Sequence, residues 1–252
     1  MNWAQKYQNS YVPIKMEQWS KDLVRVVQAS DEVLDLACGT GVVARDAARL
    51  AGPNGRVVGI DKDANMLEIA RSFPAAEGAA IEWHEGDVAA MPFEDGEFSV
   101  ALFQFTLMFI RDKPAMLKEV RRVLSVGGKL ALSVWVSGEY DQTLTKLLSQ
   151  YVDPEKIRFI IWDYGDADWL GAVMQEAGFE ISGLERTSKI SHHQSMRQSL
   201  EMIADWRPVM ADLADEDFEA LVTAMEKEFD EYIDDEGFHL PEDALTAVGK
   251  AI

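Results

Sequence analysis

At 252 residues the chain has the length of one large domain or two small ones, and 48% apolar with 27% charged residues excludes global disorder. Its 24 Lys and Arg against 44 Asp and Glu leave a formal net charge of −20. Such a surface repels phosphate backbones and anionic lipid, which excludes an extended nucleic-acid interface and a membrane partner.

The first residues, MNWAQKYQNSYVPIKMEQW, lack the basic start and apolar run of a secretory leader. The longest apolar stretch, VALFQFTLMFI, is shorter than a membrane span and is broken by Gln104 and Thr106. The single cysteine, Cys38, rules out an internal disulfide and suits a reducing compartment, so a soluble cytoplasmic protein is expected. Trp19, Leu23, Val26 and Val27 form the stripe of a first helix. Apolar, β-branched runs then predict strands at 32–37, 56–61, 81–86, 98–105 and 129–136. Helical spacing fills the gaps: Val42 to Ala51, stopped by Gly52-Pro53-Asn54-Gly55; Ala64 to Ser72, stopped before Pro74; and a stripe of Met116, Leu117, Val120, Val123 and Leu124. In that last helix Pro114 lies near the first turn and Gly127-Gly128 follow the end. Strand and helix in alternation define an α/β fold with a mostly parallel, doubly wound Rossmann-like sheet.

The second half is more helical. Asp141 is expected to cap a helix carrying Leu144, Leu147, Leu148 and Tyr151, and Asp166 to cap ADWLGAVMQEA, with Gly178 at its left-handed end. FEISGLERTSKI reads as a strand. Phe218, Leu221, Val222, Met225, Phe229, Tyr232 and Ile233 then predict one long helix ended by Gly237, its acidic residues forming the solvated face, before a last strand, ALTAVGKAI.

The informative stretch is VLDLACGTGVVARDAARL, a strand entering a helix through a tight glycine turn. Small residues there let a ligand approach the backbone, and the first N–H groups of the helix face it. Gly39, Gly41 and Ala44 satisfy the dinucleotide fingerprint, and Asp61 lies 20 residues past Gly41, placed to accept ribose hydroxyls. A nicotinamide oxidoreductase therefore stays open on the fingerprint alone. Asp35, just before the turn, would repel a pyrophosphate but suits an ammonium and a sulfonium, and Asp87 after the third strand can accept from an adenine amino group. Three carboxylates at successive strand ends around a glycine loop describe a site for a cationic adenosine, S-adenosylmethionine.

At these residues the sequence resembles the class I S-adenosylmethionine-dependent methyltransferases. DLACGTG, GIDKDANMLEIAR, EGDVAAMPFEDGEFSVALFQ and EVRRVLSVGGKLALSVW match four motifs of that family in order. The closest likeness in style is to its "type 11" small-molecule members, which include quinone-ring C-methyltransferases. Ala37 departs from the glycine many members carry. The resemblance implies a seven-stranded sheet with the last strand antiparallel. Asp35, Ala37, Gly39, Thr40 and Gly41 would then border the methionine part of the cofactor and Asp61 would hold the ribose. Lys62 and Met66 would flank the adenine, Asp87 and Val88 its edge, and Phe103 and Gln104 the methyl-transfer mouth. It also implies a single domain over 1–252, with a lid at 1–30 carrying Tyr7, Tyr11 and Trp19. The cofactor core would occupy 31–137, and helical insertions at 138–165 and 191–238 would cover the substrate.

Plainer roles stand beside these: a loop brace for Asp35, core packing for Met66, Trp135, Trp162 and Trp169, and turn filling for Cys38. Methyl transfer from a sulfonium is an in-line displacement that chiefly needs alignment, so no catalytic dyad is required. The histidines, His84, His192, His193 and His239, show no zinc-binding spacing, and Phe103-Gln104 supply no carboxylate for a metal; a metal-independent reaction is expected. The acceptor is expected to be a small apolar or aromatic molecule, with Tyr7, Tyr11 and Trp135 as candidate contacts. A non-catalytic S-adenosylmethionine-binding protein is the main alternative.

Overall fold

A computed structural model describes the chain apart from residues 1, 75–76, 154–156, 158–164, 207–209 and 211–212. Trp162, with the rest of 154–156 and 158–164 in the expected 138–165 insertion, lies outside the described residues. The strands are β1 (Glu32–Leu36), β2 (Arg56–Asp61), β3 (Ala80–Glu85), β4 (Phe98–Gln104), β5 (Leu124–Val136), β6 (Phe179–His193), β7 (Ile233–Asp234) and β8 (Gly237–Ala251). They form one sheet in the order β3-β2-β1-β4-β5-β8-β6, with β7 paired to β8. The run β3-β2-β1-β4-β5 is parallel throughout, and β7 runs antiparallel to β8. The Ser182 hydroxyl bonds to the Val248 carbonyl, Ser188 to Asp243 and Ser191 to Glu242, so partner numbers fall as β6 rises, the mark of an antiparallel pair. The sheet thus has eight strands rather than the expected seven; the extra one is the two-residue β7, too short to leave a sequence pattern.

The helices are α1 (Trp3–Lys6), α2 (Glu17–Leu23), α3 (Val42–Ala51), α4 (Ala64–Ser72), α5 (Lys113–Val123), α6 (Glu139–Leu148), α7 (Ala167–Glu176), α8 (Met196–Trp206) and α9 (Asp215–Glu228). α1 and α2 are joined by a π-helical stretch, Tyr7–Met16, that contains Pro13. Proline gives no N–H and crowds the preceding turn, and wider turns accommodate such a residue. Trp19, Leu23 and Val27 are buried as their stripe requires, although the helix tightens into a 3₁₀ turn at Val24–Val26.

Two compact units emerge from the contacts. The first comprises 1–134, 166–186 and 245–252, and the second 135–165 and 187–244. In the first, the apolar runs of β1, β2 and β4 are sealed on both faces: Val33, Leu34, Leu36, Val57, Val58, Ile60, Phe98, Ala101 and Leu102 have no exposed surface. Asp63, Asp112 and Asp166 cap α4, α5 and α7, each accepting a backbone N–H of the first turn. The second unit has its own core, in which Tyr140, Leu144 and Leu148 of α6 meet Leu221, Val222 and Met225 of α9 and Phe229 and Phe238 beyond.

Three local expectations are corrected. α9 stops at Glu228, and Phe229, Tyr232 and Ile233 continue the apolar count through a 3₁₀ turn into β7. A stripe of threes and fours cannot separate a helix from a helix followed by a hairpin that buries the same residues. α6 begins at Glu139, so Asp141 lies inside its first turn, where it accepts from Gly138 N. Gly127-Gly128 do not follow α5 as a free turn but belong to β5, where the β4–β5 register shifts between Phe98 and Val100.

Candidate cofactor site

The site begins where β1 becomes α3. Cys38 N bonds to the Ile60 carbonyl at 3.0 Å and Gly41 N to the Cys38 carbonyl at 2.8 Å, folding the loop over the end of β2. Ala37, Gly39 and Gly41 all take positive φ, +50°, +53° and +83°. That alternation is why small residues recur here, and Ala37 adopts the conformation without being glycine. At Gly41 a side chain is also excluded by packing: a Cβ would lie 2.3 Å from the Trp83 ring. Trp83 on β3 fills the space opposite Gly59 as well, 2.6 Å from its missing Cβ, so it is the wall that shapes the loop's underside. Sequence reasoning missed Trp83, because an indole in a short strand carries no signal until its glycine partners are known.

Asp35 is 1% exposed and its Oδ2 accepts Ala44 N at 2.9 Å, so it braces the first turn of α3. Burial raises its pKa from 3.8 to about 8, with the Asp61 charge adding and the Ala44 hydrogen bond opposing. Asp61 ends β2, and its two oxygens accept Gly39 N at 2.8 Å and Asp63 N at 2.9 Å. Its pKa is also raised, by burial first. The half-buried Tyr7 belongs to the same group: a Cβ at Gly39 would touch its ring at 3.7 Å. Burial, then the charges of Asp61 and Asp35, hold its phenol well above the usual tyrosine range. Tyr7 stacks on Tyr11 at 5.8 Å, and Trp3 stands edge-on to Tyr11 at 5.5 Å. The Thr40 hydroxyl is buried with no hydrogen-bond partner among the described residues, while the Thr40 carbonyl accepts from Arg45 at 2.7 Å. An orphan hydroxyl, two buried carboxyls and a glycine cradle are what a cationic nucleoside would satisfy.

The structure thus brings Asp35, Gly39, Asp61 and Tyr7 together and holds Ala37, Thr40 and Gly41 in the same loop. Lys62 is exposed, Met66 is buried on α4, and Val88 is buried after β3. Asp87 is exposed, its Oδ1 accepting Ala89 N at 2.9 Å. Phe103 has no exposed surface, so its ring belongs to the core and not to a mouth: the apolar run that made β4 legible also seals it. Gln104 is half-buried and its amide donates to the Met16 carbonyl at 3.1 Å, tying β4 to the amino-terminal helices. Trp19 packs edge-on against Phe105 at 5.8 Å, Cys38 is buried, and Trp135 is a half-buried residue of the second unit.

Glycine loop, carboxylate-ended strands and sheet order together define a Rossmann-like methyltransferase fold. A family model described as a methyltransferase domain matches residues 33–128. The chain is 37% identical over 118 residues to a 2-phytyl-1,4-naphtoquinone methyltransferase of Nostoc punctiforme, covering 45% of this chain and 51% of the relative. It is 33% identical over 171 residues to a ubiquinone/menaquinone biosynthesis C-methyltransferase of Hahella chejuensis, covering 60% and 68%. A solved structure of a candidate methyltransferase from Bacillus halodurans shares the fold with a TM-score of 0.60 at 21% identity, over 93% of this chain and 97% of that one. The chain belongs to the class I S-adenosylmethionine-dependent methyltransferases. It spans about half the length of the first of these relatives. Among the described residues, no helix is long and apolar enough to cross a membrane.

Proposed function

We propose that the chain transfers a methyl group from S-adenosylmethionine to a small aromatic acceptor of the quinone-ring type. The observation that carries this reading is the pairing of two buried carboxyls, Asp35 and Asp61, at adjacent strand ends beside a glycine loop and under the Tyr7 ring. Buried like charges are costly without a cation between or beside them, and a sulfonium with an ammonium supplies one. A pyrophosphate would add charge of the wrong sign, which disfavours a nicotinamide cofactor. Asp35 and the loop of Gly39, Thr40 and Gly41 would border the methionine end, Asp61 the ribose, and Lys62, Met66, Asp87 and Val88 the adenine. The bound cofactor supplies an activated methyl; the protein's work is to align the acceptor and exclude water. The quinone class rests on the names of the two relatives, and an apolar ring also suits a protein whose charge of −20 disfavours anionic acceptors.

Calorimetry with S-adenosylmethionine, S-adenosylhomocysteine and NAD tests the cofactor: adenosyl ligands bind and NAD does not. Binding of NAD alone overturns the reading. Incubation with methyl-labelled cofactor and a panel of reduced naphthoquinones and benzoquinones tests the acceptor. Label on a ring carbon is expected, whereas cofactor binding without transfer to any panel member favours a non-catalytic binder.

A further inference from the structure

Within the second unit, β6 and β8 bring His192 and His239 together edge-on, with their Nδ1 atoms 2.8 Å apart and ring planes 73° to one another. On its far side, His239 Nε2 lies 2.8 Å from Asp234 Oδ1 on β7. A carboxylate can only accept, so His239 Nε2 carries a proton and a neutral His239 presents Nδ1 as a lone pair. The proton between the rings then sits on His192 Nδ1. An imidazole whose outer nitrogen donates to a carboxylate has the orientation and tautomer that present its inner nitrogen to a metal, and here a second imidazole nitrogen stands beside that lone pair. His192 is exposed, and the next residues after Asp234, Asp235 and Glu236, are exposed acids that attract cations.

We propose that His192 and His239, oriented by Asp234, form a two-imidazole site for a borderline divalent cation such as zinc. No cluster of three His, Cys, Asp or Glu able to hold a metal occurs among the described residues, so water completes the coordination. Two imidazole nitrogens on a tetrahedral zinc stand about 3.3 Å apart, so the pair opens by roughly half an ångström. The bond made is Zn–Nδ1 on each ring. The proton leaving His192 Nδ1 is balanced by one taken up at its Nε2, so a neutral pair binds with a tautomer change and no net proton release. The sequence separation of 47 between the two histidines hid the site from any local spacing rule.

Titration of the metal-stripped full chain with zinc chloride, followed by ¹⁵N NMR of the imidazoles, tests the proposal. His192 and His239 are expected to shift together at micromolar zinc, with His192 switching from the Nδ1-H to the Nε2-H form. Asp234→Asn keeps both ligands and is expected to weaken binding by about 10–100-fold, and the His192→Gln/His239→Gln pair to abolish it. No response of either ring up to millimolar zinc overturns the site, as does undiminished zinc binding by the double variant.

Discussion

The strand ends of β1 and β2 differ sharply from that of β3, although each carries a carboxylate near its carboxyl-terminal end: Asp35 inside β1, Asp61 closing β2 and Asp87 just beyond β3. Asp35 and Asp61 are 1% and 9% exposed and the Asp61 charge bears on Asp35, whereas Asp87 is open to water and its side chain braces its own turn through Ala89 N. Burial makes the first pair expensive to ionise, so that end of the sheet stores a demand for positive charge. The third end stores none; it offers an acceptor already solvated, whose contribution on binding is correspondingly smaller. A cationic centre is therefore expected to draw its affinity from β1 and β2, and the adenine edge at β3 to refine it.

The largest test of that division is Asp61→Ala. It removes the acceptor proposed for the ribose and frees Gly39 N, which Asp61 holds at 2.8 Å. A loss of about 2–3 kcal/mol, roughly 30–150-fold in affinity for S-adenosylmethionine, is expected by calorimetry. An unchanged dissociation constant would remove β2 from the site.

Next in size is the pH dependence set by Asp35. Its folded-state pKa is raised to about 8, so at neutral pH the free protein holds a proton there that the unfolded chain has lost. Two consequences follow with opposite signs. The stability of the free protein declines on this account as pH rises from the ordinary carboxylate range towards 8, because the folded state binds more protons. Affinity for a cationic cofactor rises over the upper part of the same window, approaching about tenfold per unit below 8 and levelling above it, because binding selects the carboxylate. Asp35→Asn flattens the affinity profile, which distinguishes the protein's proton from the ligand's. Equal slopes in wild type and variant would contradict the contrast between β1 and β3. Asp87→Ala sharpens it from the other side, with an expected loss of about tenfold, near the lower end for a charge-assisted hydrogen bond.

Particular residues explain what the sequence disclosed. β1, β2 and β4 were legible because parallel strands covered on both faces must be apolar almost throughout, and Asp35 and Asp61 stood out as charges closing such runs. The caps at Asp166 and the turn at Gly178, φ +94°, followed from local chemistry alone. Relations made across the sheet were not legible. Trp83 under Gly41, Tyr7 over Gly39 and His192 against His239 each join residues far apart in the chain, and nothing in either member's neighbourhood names the other. Phe103 failed for a related reason: position at a strand end suggested a lining residue, but β4 is covered on both faces there and its ring lies in the interior.

The smallest predicted effect concerns Ala37, which takes a φ of +50° where many relatives, by resemblance, carry glycine. A left-handed L-residue costs roughly 1–2 kcal/mol, and glycine returns about 0.4–1 kcal/mol of that through the greater freedom of its unfolded chain. Ala37→Gly is therefore expected to stabilise the fold by about 1 kcal/mol or less, a rise of up to roughly 2–4 °C in Tm for a chain of this size. Its effect on cofactor affinity should be slight, since the loop conformation is already adopted. A fall in Tm would mean that the alanine methyl packs well enough to outweigh its backbone strain, and that the loop at β1 is held by side-chain contact and not by glycine geometry.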